Sequence, residues 1–329
     1  MTTLVTGGAG YIGSHTVHAL LDRGDSVVVL DDLSTGVRAQ VGEKAPFVKG
    51  DAGDQALLEN TIKAHGVDAV IHFAGSIVVP ESVADPLAYY QNNVVKSRDV
   101  IAACLATGVK QFIFSSTATV YAEDAKQPLA EESAKAPISP YARSKLMTEW
   151  MLEDVARAHD FRYHILRYFN VAGADPSGRT GQSDPNATHL IKRAAMVALG
   201  RVPHLGVFGT DYPTPDGTGV RDYIHVSDLA NAHILALDAL RAGATSSVYN
   251  CGYGRGLSVR QVVEGVERVI GRPLPVQVGP RRPGDPPTLI SDPARIKAAL
   301  GWKPVHDDLE GIIRSAIDWE RRFNRDPVR

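Results

Sequence analysis

Tyr141 and Lys145 stand four residues apart in the run Tyr141-Ala142-Arg143-Ser144-Lys145. On a helix that spacing puts a phenol and an ammonium on one face. A free tyrosine titrates near 10 and is a poor base at neutral pH. A neighbouring positive charge stabilises its phenolate, so the pair can accept a proton from a hydroxyl. The spacing is common by chance, and a surface tyrosine beside a solvated lysine has the same pattern. Its surroundings give it weight. Ser139 and Pro140 suit an N-cap and a first helical position. Upstream, Ser115-Ser116-Thr117-Ala118-Thr119-Val120-Tyr121 places hydroxyls at the end of an apolar run, where they can hold a substrate oxygen.

The N-terminal stretch supplies a place for a redox cofactor beside that pair. Leu4-Val5-Thr6 ends in Gly7-Gly8-Ala9-Gly10-Tyr11-Ile12-Gly13, and Ile12, Val17, Leu20 and Leu21 follow at helical spacing. Gly24 is placed to end that helix, and Ser26 to Leu30 closes a β-α-β unit at Asp31. Gly7, Gly10 and Gly13 have separate jobs: a sharp turn, room for a pyrophosphate, and close packing of helix on strand. The free N–H groups of the helix start then face the phosphates. Asp31 can accept hydrogen bonds from both adenine-ribose hydroxyls and would repel a 2′-phosphate. No arginine follows in Asp31-Asp32-Leu33-Ser34, so the expected cofactor is NAD rather than NADP.

These groups need a frame. Short apolar runs at 47–51, 69–75, 111–116 and 163–168 alternate with helical patterns at 55–64, 87–106 and 140–157. That alternation predicts an α/β fold with a doubly wound, Rossmann-type parallel sheet, whose ligands lie beyond the carboxyl ends of the strands. After Asn170 the texture changes. Residues 173–187 and 209–222 are rich in Gly, Pro, Asp and Thr, and 271–288 are rich in proline; they read as loops able to cover a substrate. A helix over 227–240 and a strand over 248–251 look like a return to the sheet. The expected division is a cofactor domain over 1–170 with a returning segment at about 221–251. A smaller α/β C-terminal substrate domain is expected over 171–220 and 252–329.

Bulk properties narrow the function. The chain has 329 residues, a formal net charge of −2 and 44% apolar residues. That balance predicts neither nucleic acid nor a membrane surface as partner. Cys104 and Cys251 have no metal or redox spacing and read as reduced, buried residues of a cytoplasmic protein. His65, His72 and His225 lack metal-ligand spacing, and no metal is expected. The first strand begins within the first few residues, which predicts no leader peptide.

Taken together, these motifs resemble the UDP-glucose (UDP-galactose) 4-epimerases of the extended short-chain dehydrogenase/reductase family. The resemblance runs from Thr6 to His15, through Asp31 to Gly36, Ile71 to Gly75, Ser115 to Tyr121, Tyr141 to Lys145 and Leu166-Arg167-Tyr168-Phe169-Asn170, to Arg281-Arg282-Pro283-Gly284-Asp285. Its most discriminating part is the long run from Phe208 to Val226, which carries Arg221. The resemblance implies NAD-dependent interconversion of UDP-glucose and UDP-galactose in galactose metabolism. The C4 hydroxyl is oxidised, the 4-keto sugar rotates about its anchored diphosphate, and C4 is reduced on the opposite face. It also implies a homodimer.

The roles it implies are these. Tyr141 is the base, Lys145 grips the nicotinamide ribose, and Thr117 hydrogen-bonds the reacting hydroxyl. Gly7, Gly10, Tyr11, Ile12 and Gly13 hold the pyrophosphate. Asp31 to Thr35, by way of Asp32, Leu33 and Ser34, together with Asp51 and Ala52, hold the adenosine half. Phe73, Ala74, Gly75, Asn92, Ser115 and Tyr168 line the nicotinamide side. Asn170, Arg221, Arg282 and Asp285 hold the UDP, with Phe208 beside the uracil, and His189, Leu190 and Tyr223 belong to the same substrate site. Leu289 faces the sugar C2. Three positions depart from the family pattern: Thr117 stands where serine is usual, Ile77 where many members have lysine, and His189 where asparagine often meets a phosphate. The alternatives are another nucleotide-sugar epimerase, a 4,6-dehydratase, or a non-catalytic NAD-binding regulator. A dehydratase needs an acid and a base beside Thr117, where this chain has Ala118 and Thr119. A regulator needs neither Tyr141 and Lys145 nor the arginine-bearing loops.

Overall fold

The computed structural model describes residues 1–282 and 285–323. Its first half is a run of strands and helices. β1 (Thr2–Thr6), α1 (Tyr11–Asp22), β2 (Ser26–Asp31), β3 (Phe47–Lys49), α2 (Gln55–His65) and β4 (Val67–His72) come first. α3 (Val79–Ala84), α4 (Pro86–Tyr90), α5 (Lys96–Thr107), β5 (Gln111–Thr117), α6 (Pro140–Ala158) and β6 (Arg162–Tyr168) follow. The strands form one parallel sheet in the order β10-β6-β5-β4-β1-β2-β3, with β10 (Ser247–Cys251) contributed from the second half. The order reverses at β1 and β4, the point where a doubly wound sheet opens its ligand crevice. Val, Ile and Leu fill the strands because both faces are covered. α1 and α8 (Val226–Arg241) cover one face, and α2, α5 and α6 the other.

Local chemistry explains the helix ends. Gly24 takes φ +87°, and its N–H bonds the Leu21 carbonyl at 3.0 Å, closing α1. Ser139 Oγ accepts from Ala142 N at 3.2 Å and starts α6, with Pro140 at the first position. The helix expected over 87–106 is not a single α-helix. Between α4 and α5 the chain widens into a π turn at Gln91–Val95. There the Asn93 carbonyl accepts from Ser97 Oγ at 2.5 Å and from Thr148 Oγ1 of α6 at 3.2 Å. Side chains thus satisfy the carbonyl that the widened turn diverts.

The second half builds a smaller sheet. β7 (Asn170–Ala172), β9 (Val220–His225), β11 (Gly256–Ser258) and β13 (Thr288–Leu289) pair around β9, while β8 (Leu205–Phe208) pairs with β12 (Val276–Gly279). α7 (Leu190–Ala198), α9 (Val259–Ile270) and α11 (Leu309–Phe323) share an apolar core with Tyr223, while α10 (Ala294–Leu300), which follows β13 in the chain, packs on the core of the large sheet. The loop expected over 209–222 therefore ends in a strand at Val220. That strand joins the small sheet, and the return to the large sheet is made by α8 and β10, with Ile296 of α10 and Trp302 packed into the same core. The sequence reading did not anticipate α7, α9, α10 or α11. Among the described residues no helix is long and apolar enough to cross a membrane.

Candidate active site

The glycine turn is built as a cradle. Gly7 has φ +69°, and a Cβ there would sit 2.6 Å from Ala74 N. A Cβ on Gly13 would lie 2.2 Å from the Gly7 carbonyl oxygen, so α1 packs directly on the turn. Gly10 is the N-cap of α1, and no side chain caps that end. Asp31, at the end of β2, is buried. Its Oδ2 accepts from Ala9 N at 2.9 Å and its Oδ1 from Leu33 N at 2.8 Å. Burial raises its pKa, and these two amides oppose the shift. Asp32 Oδ1 accepts from the Ser34 N–H at 2.8 Å, and Thr35 is exposed. Asp51, beside the buried Ala52, pairs with Lys96 at 2.8 Å. An uncapped helix start, a turn with no room for side chains and a fixed carboxylate fit a dinucleotide.

The reacting groups converge at the carboxyl ends of β5 and β6. Tyr141 and Lys145 are both buried on α6. Lys145 Nζ donates to the Ser115 carbonyl at 3.0 Å and lies 5.0 Å from the Phe114 ring centroid. Burial pulls its pKa down to about 8, with Glu149 opposing. Burial pushes Tyr141 up to about 12, and a hydrogen bond with Thr117 opposes that shift. Thr117 Oγ1 also lies 3.0 Å from Thr119 Oγ1. Ser115 Oγ hydrogen-bonds the Tyr168 hydroxyl, and Phe73 packs at 4.8 Å on the His233 ring.

Asn92 donates to Ser76 Oγ at 2.8 Å. Its neighbour Asn93, which sequence reasoning missed, does more. Asn93 accepts from Ser76 N at 2.7 Å and donates to the Ser76 carbonyl and to Ser144 Oγ, each at 3.0 Å. It ties the segment after Gly75 to the helix that bears Tyr141. Glu149 and Arg167, also missed, form a bidentate ion pair at 2.5 Å beneath the site. The signal was a charged residue inside the apolar run of β6.

The small sheet brings its residues to the same edge. Leu289 pairs in register with Arg221 and packs on a cluster of Ala118, Val120, Leu129, Leu146 and Phe169 next to Thr117. Leu129 N also bonds the Ile290 carbonyl at 2.8 Å. Asn170 lies opposite Tyr223. Arg221 bonds the Asp285 carboxylate, not the neighbouring Asp222 or Asp216. Arg282 lies 4.0 Å over the ring of Phe208, which is 39% exposed. His189 stands before Leu190 at the start of α7 with its Nδ1 buried and unpartnered. Ile77 is exposed. Pro283 and Gly284 lie outside the described residues. Among the described residues no group of three His, Cys, Asp or Glu could hold a metal ion.

The model of the NAD dependent epimerase/dehydratase family matches residues 3–252. The chain belongs to that family. Its cofactor is NAD, which the cradle and Asp31 fit. The chain is 58% identical to a UDP-glucose 4-epimerase of Azospirillum brasilense over 322 residues, 98% of this chain and 92% of the relative. Its fold matches that of the UDP-glucose 4-epimerase from Brucella ovis in complex with NAD at a TM-score of 0.93 and 47% identity, over 96% and 97% of the two chains. It also matches the UDP-Glc/GlcNAc 4-epimerase of Campylobacter jejuni at 0.85 and 46%, over 98% and 99%.

Proposed function

We propose that the protein interconverts UDP-glucose and UDP-galactose by transient oxidation at sugar C4. One observation carries this reading: the buried Tyr141–Lys145 pair and Thr117 share an edge with a strand pair that presents Arg221 and Leu289 from the other sheet. Similarity to UDP-glucose 4-epimerases across nearly the whole chain supports it. NAD, when bound, supplies the hydride acceptor and donor for C4 and a positive charge that favours a phenolate. Gly7, Gly10, Gly13, Tyr11, Ile12, Asp31, Asp51 and Lys145 would hold it.

Tyr141 takes the proton of the 4-hydroxyl and later returns it. Lys145 stabilises the phenolate by charge. Thr117 holds the reacting oxygen. Arg221 and Arg282 grip the diphosphate, for which guanidinium groups are suited, and Asp285 takes ribose hydroxyls. Strong contacts on UDP and weak ones on the sugar leave the keto sugar free to turn over. A division of the chain into a cofactor domain and a UDP-sugar domain follows the two sheets. Exposed apolar side chains on α3, α4 and α6 (Val83, Leu87, Met147 and Trp150) support a homodimer. We assign it to the cytoplasm. Purified protein should carry NAD and equilibrate UDP-glucose with UDP-galactose, as read by chromatography of the nucleotide sugars. Bound NAD with no interconversion would sink the proposal.

A further inference from the structure

Glu149 joins the three elements that carry the reacting groups. It lies on α6 one turn beyond Lys145 and is 1% exposed. Its Oε1 accepts from Ser116 Oγ of β5 at 2.5 Å and from Arg167 Nε of β6 at 3.0 Å; its Oε2 accepts from Arg167 Nη2 at 2.5 Å. Ser116 sits between Ser115 and Thr117, and Arg167 precedes Tyr168. One carboxylate thus fixes two strand ends against the helix of Tyr141 and Lys145. Arg167 extends the tie, donating to Tyr121 Oη at 3.0 Å and to the Glu131 carbonyl at 3.1 Å.

Stability alone does not account for an ion pair at this depth. Well-packed apolar residues of similar volume serve as well or better. What they could not supply is a negative charge one helical turn from Lys145. The charged and titratable groups around Lys145 are few. On α6 they are Tyr141 and Glu149. β4 offers His72, which burial, and then Lys145, holds uncharged, with its pKa lowered to about 3. β6 offers Arg167 and Tyr168, and α4 offers Tyr89, which burial pushes up to about 12. Glu149 is the anion of this described set. The hydrogen-bond acceptor of Lys145, the Ser115 carbonyl, is neutral.

We propose that Glu149 is a positioning residue for the reaction: it aligns Thr117 and Tyr168 with α6 and keeps Lys145 in its ammonium form across the working pH range. The inference rests on the function proposed above. Its test is the pH profile of kcat in Glu149→Gln, which keeps the size and an acceptor but removes the charge. The alkaline limb should move down by roughly one pH unit, the scale of effect a close opposite charge exerts. KM for UDP-glucose and NAD content should hold. Glu149→Asp, which keeps the charge on a shorter stem, should return the limb to its place with a lower kcat. If Glu149→Gln does not fold, Glu149→Gln/Arg167→Met removes both buried charges without orphaning either; the loss of the Arg167 cation offsets part of the loss of the anion, so the limb should still move down, but by less. A limb that stays in place in the folded variant overturns this inference, leaving Glu149 a structural residue. Inactivity of the unmodified protein overturns both this inference and the proposed function.

Discussion

Arg221 and Asp285 are ion-paired between β9 and the segment that leads into β13. Arg221 also donates to the Pro286 carbonyl and to the Val220 carbonyl, each at 2.7 Å. The guanidinium is 90% shielded, while the carboxylate is more than a third open. The arginine is therefore held in place before any ligand arrives. If it grips the diphosphate equally in ground and transition states, Arg221→Met should raise KM for UDP-glucose about tenfold to a hundredfold and leave kcat within a few-fold. A large fall in kcat at unchanged KM would assign Arg221 to the chemical step instead.

Tyr141→Phe removes the proton acceptor and keeps the ring that fills its buried place. The variant should purify with NAD and lose about 10²–10⁴ in kcat. Steady-state rates at neutral pH check this. A variant that keeps most of its rate would show that another group takes the proton.

Asp31→Ala should weaken NAD binding and relax discrimination against NADP. The carboxylate also accepts from the Ala9 and Leu33 amides, so the variant loses stability as well. Binding of both cofactors to stripped protein is the measurement. Equal affinity of the unmodified protein for NAD and NADP would contradict the role of Asp31.

UDP-glucose and UDP-galactose should be better substrates than their N-acetylated counterparts. Leu289 is larger than serine and packs on Val120, Leu129 and Phe169, so it has little freedom to retreat. Forcing extra atoms into a packed site costs about 1–3 kcal/mol. Leu289→Ser should raise kcat/KM for the N-acetylated pair by roughly tenfold or more. No gain would mean that Leu289 only packs and does not meet the sugar.

Acid should unfold the protein early. Burial lowers His15 and His233 to about 4 and His72 and His225 to about 3, below their ordinary value of 6.5. The unfolded chain then binds more protons than the folded one between about pH 3 and 6.5. Stability is complete above that window and falls as pH drops through it. Each histidine contributes up to about 1.4 kcal/mol per pH unit. Tm measured at pH 7 and at pH 5 should differ by many degrees. A level Tm would mean that these rings stay hydrated or charged in the fold.

Sequence by itself determined the local units. The β-α-β start, the glycine turn, Asp31 at the end of β2 and the Ser139-Pro140 start of α6 all follow from rules that act over a few residues. So does the shared face of Tyr141 and Lys145. Tertiary structure decided what depends on distant partners. Arg221 has two acidic residues close in sequence, and only the placement of β13 selects Asp285, 64 residues away. Val220–His225 reads as the end of a loop because its strand partners, β7, β11 and β13, are scattered from residue 170 to residue 289. The π turn at Asn93 needs Thr148 of another helix to satisfy its carbonyl. Glu149 reads as one more charge on a helix until β5 and β6 bury it against Ser116 and Arg167. Short-range preferences fix backbone conformation, but the partner of a buried charge is chosen by which surfaces the sheet brings together.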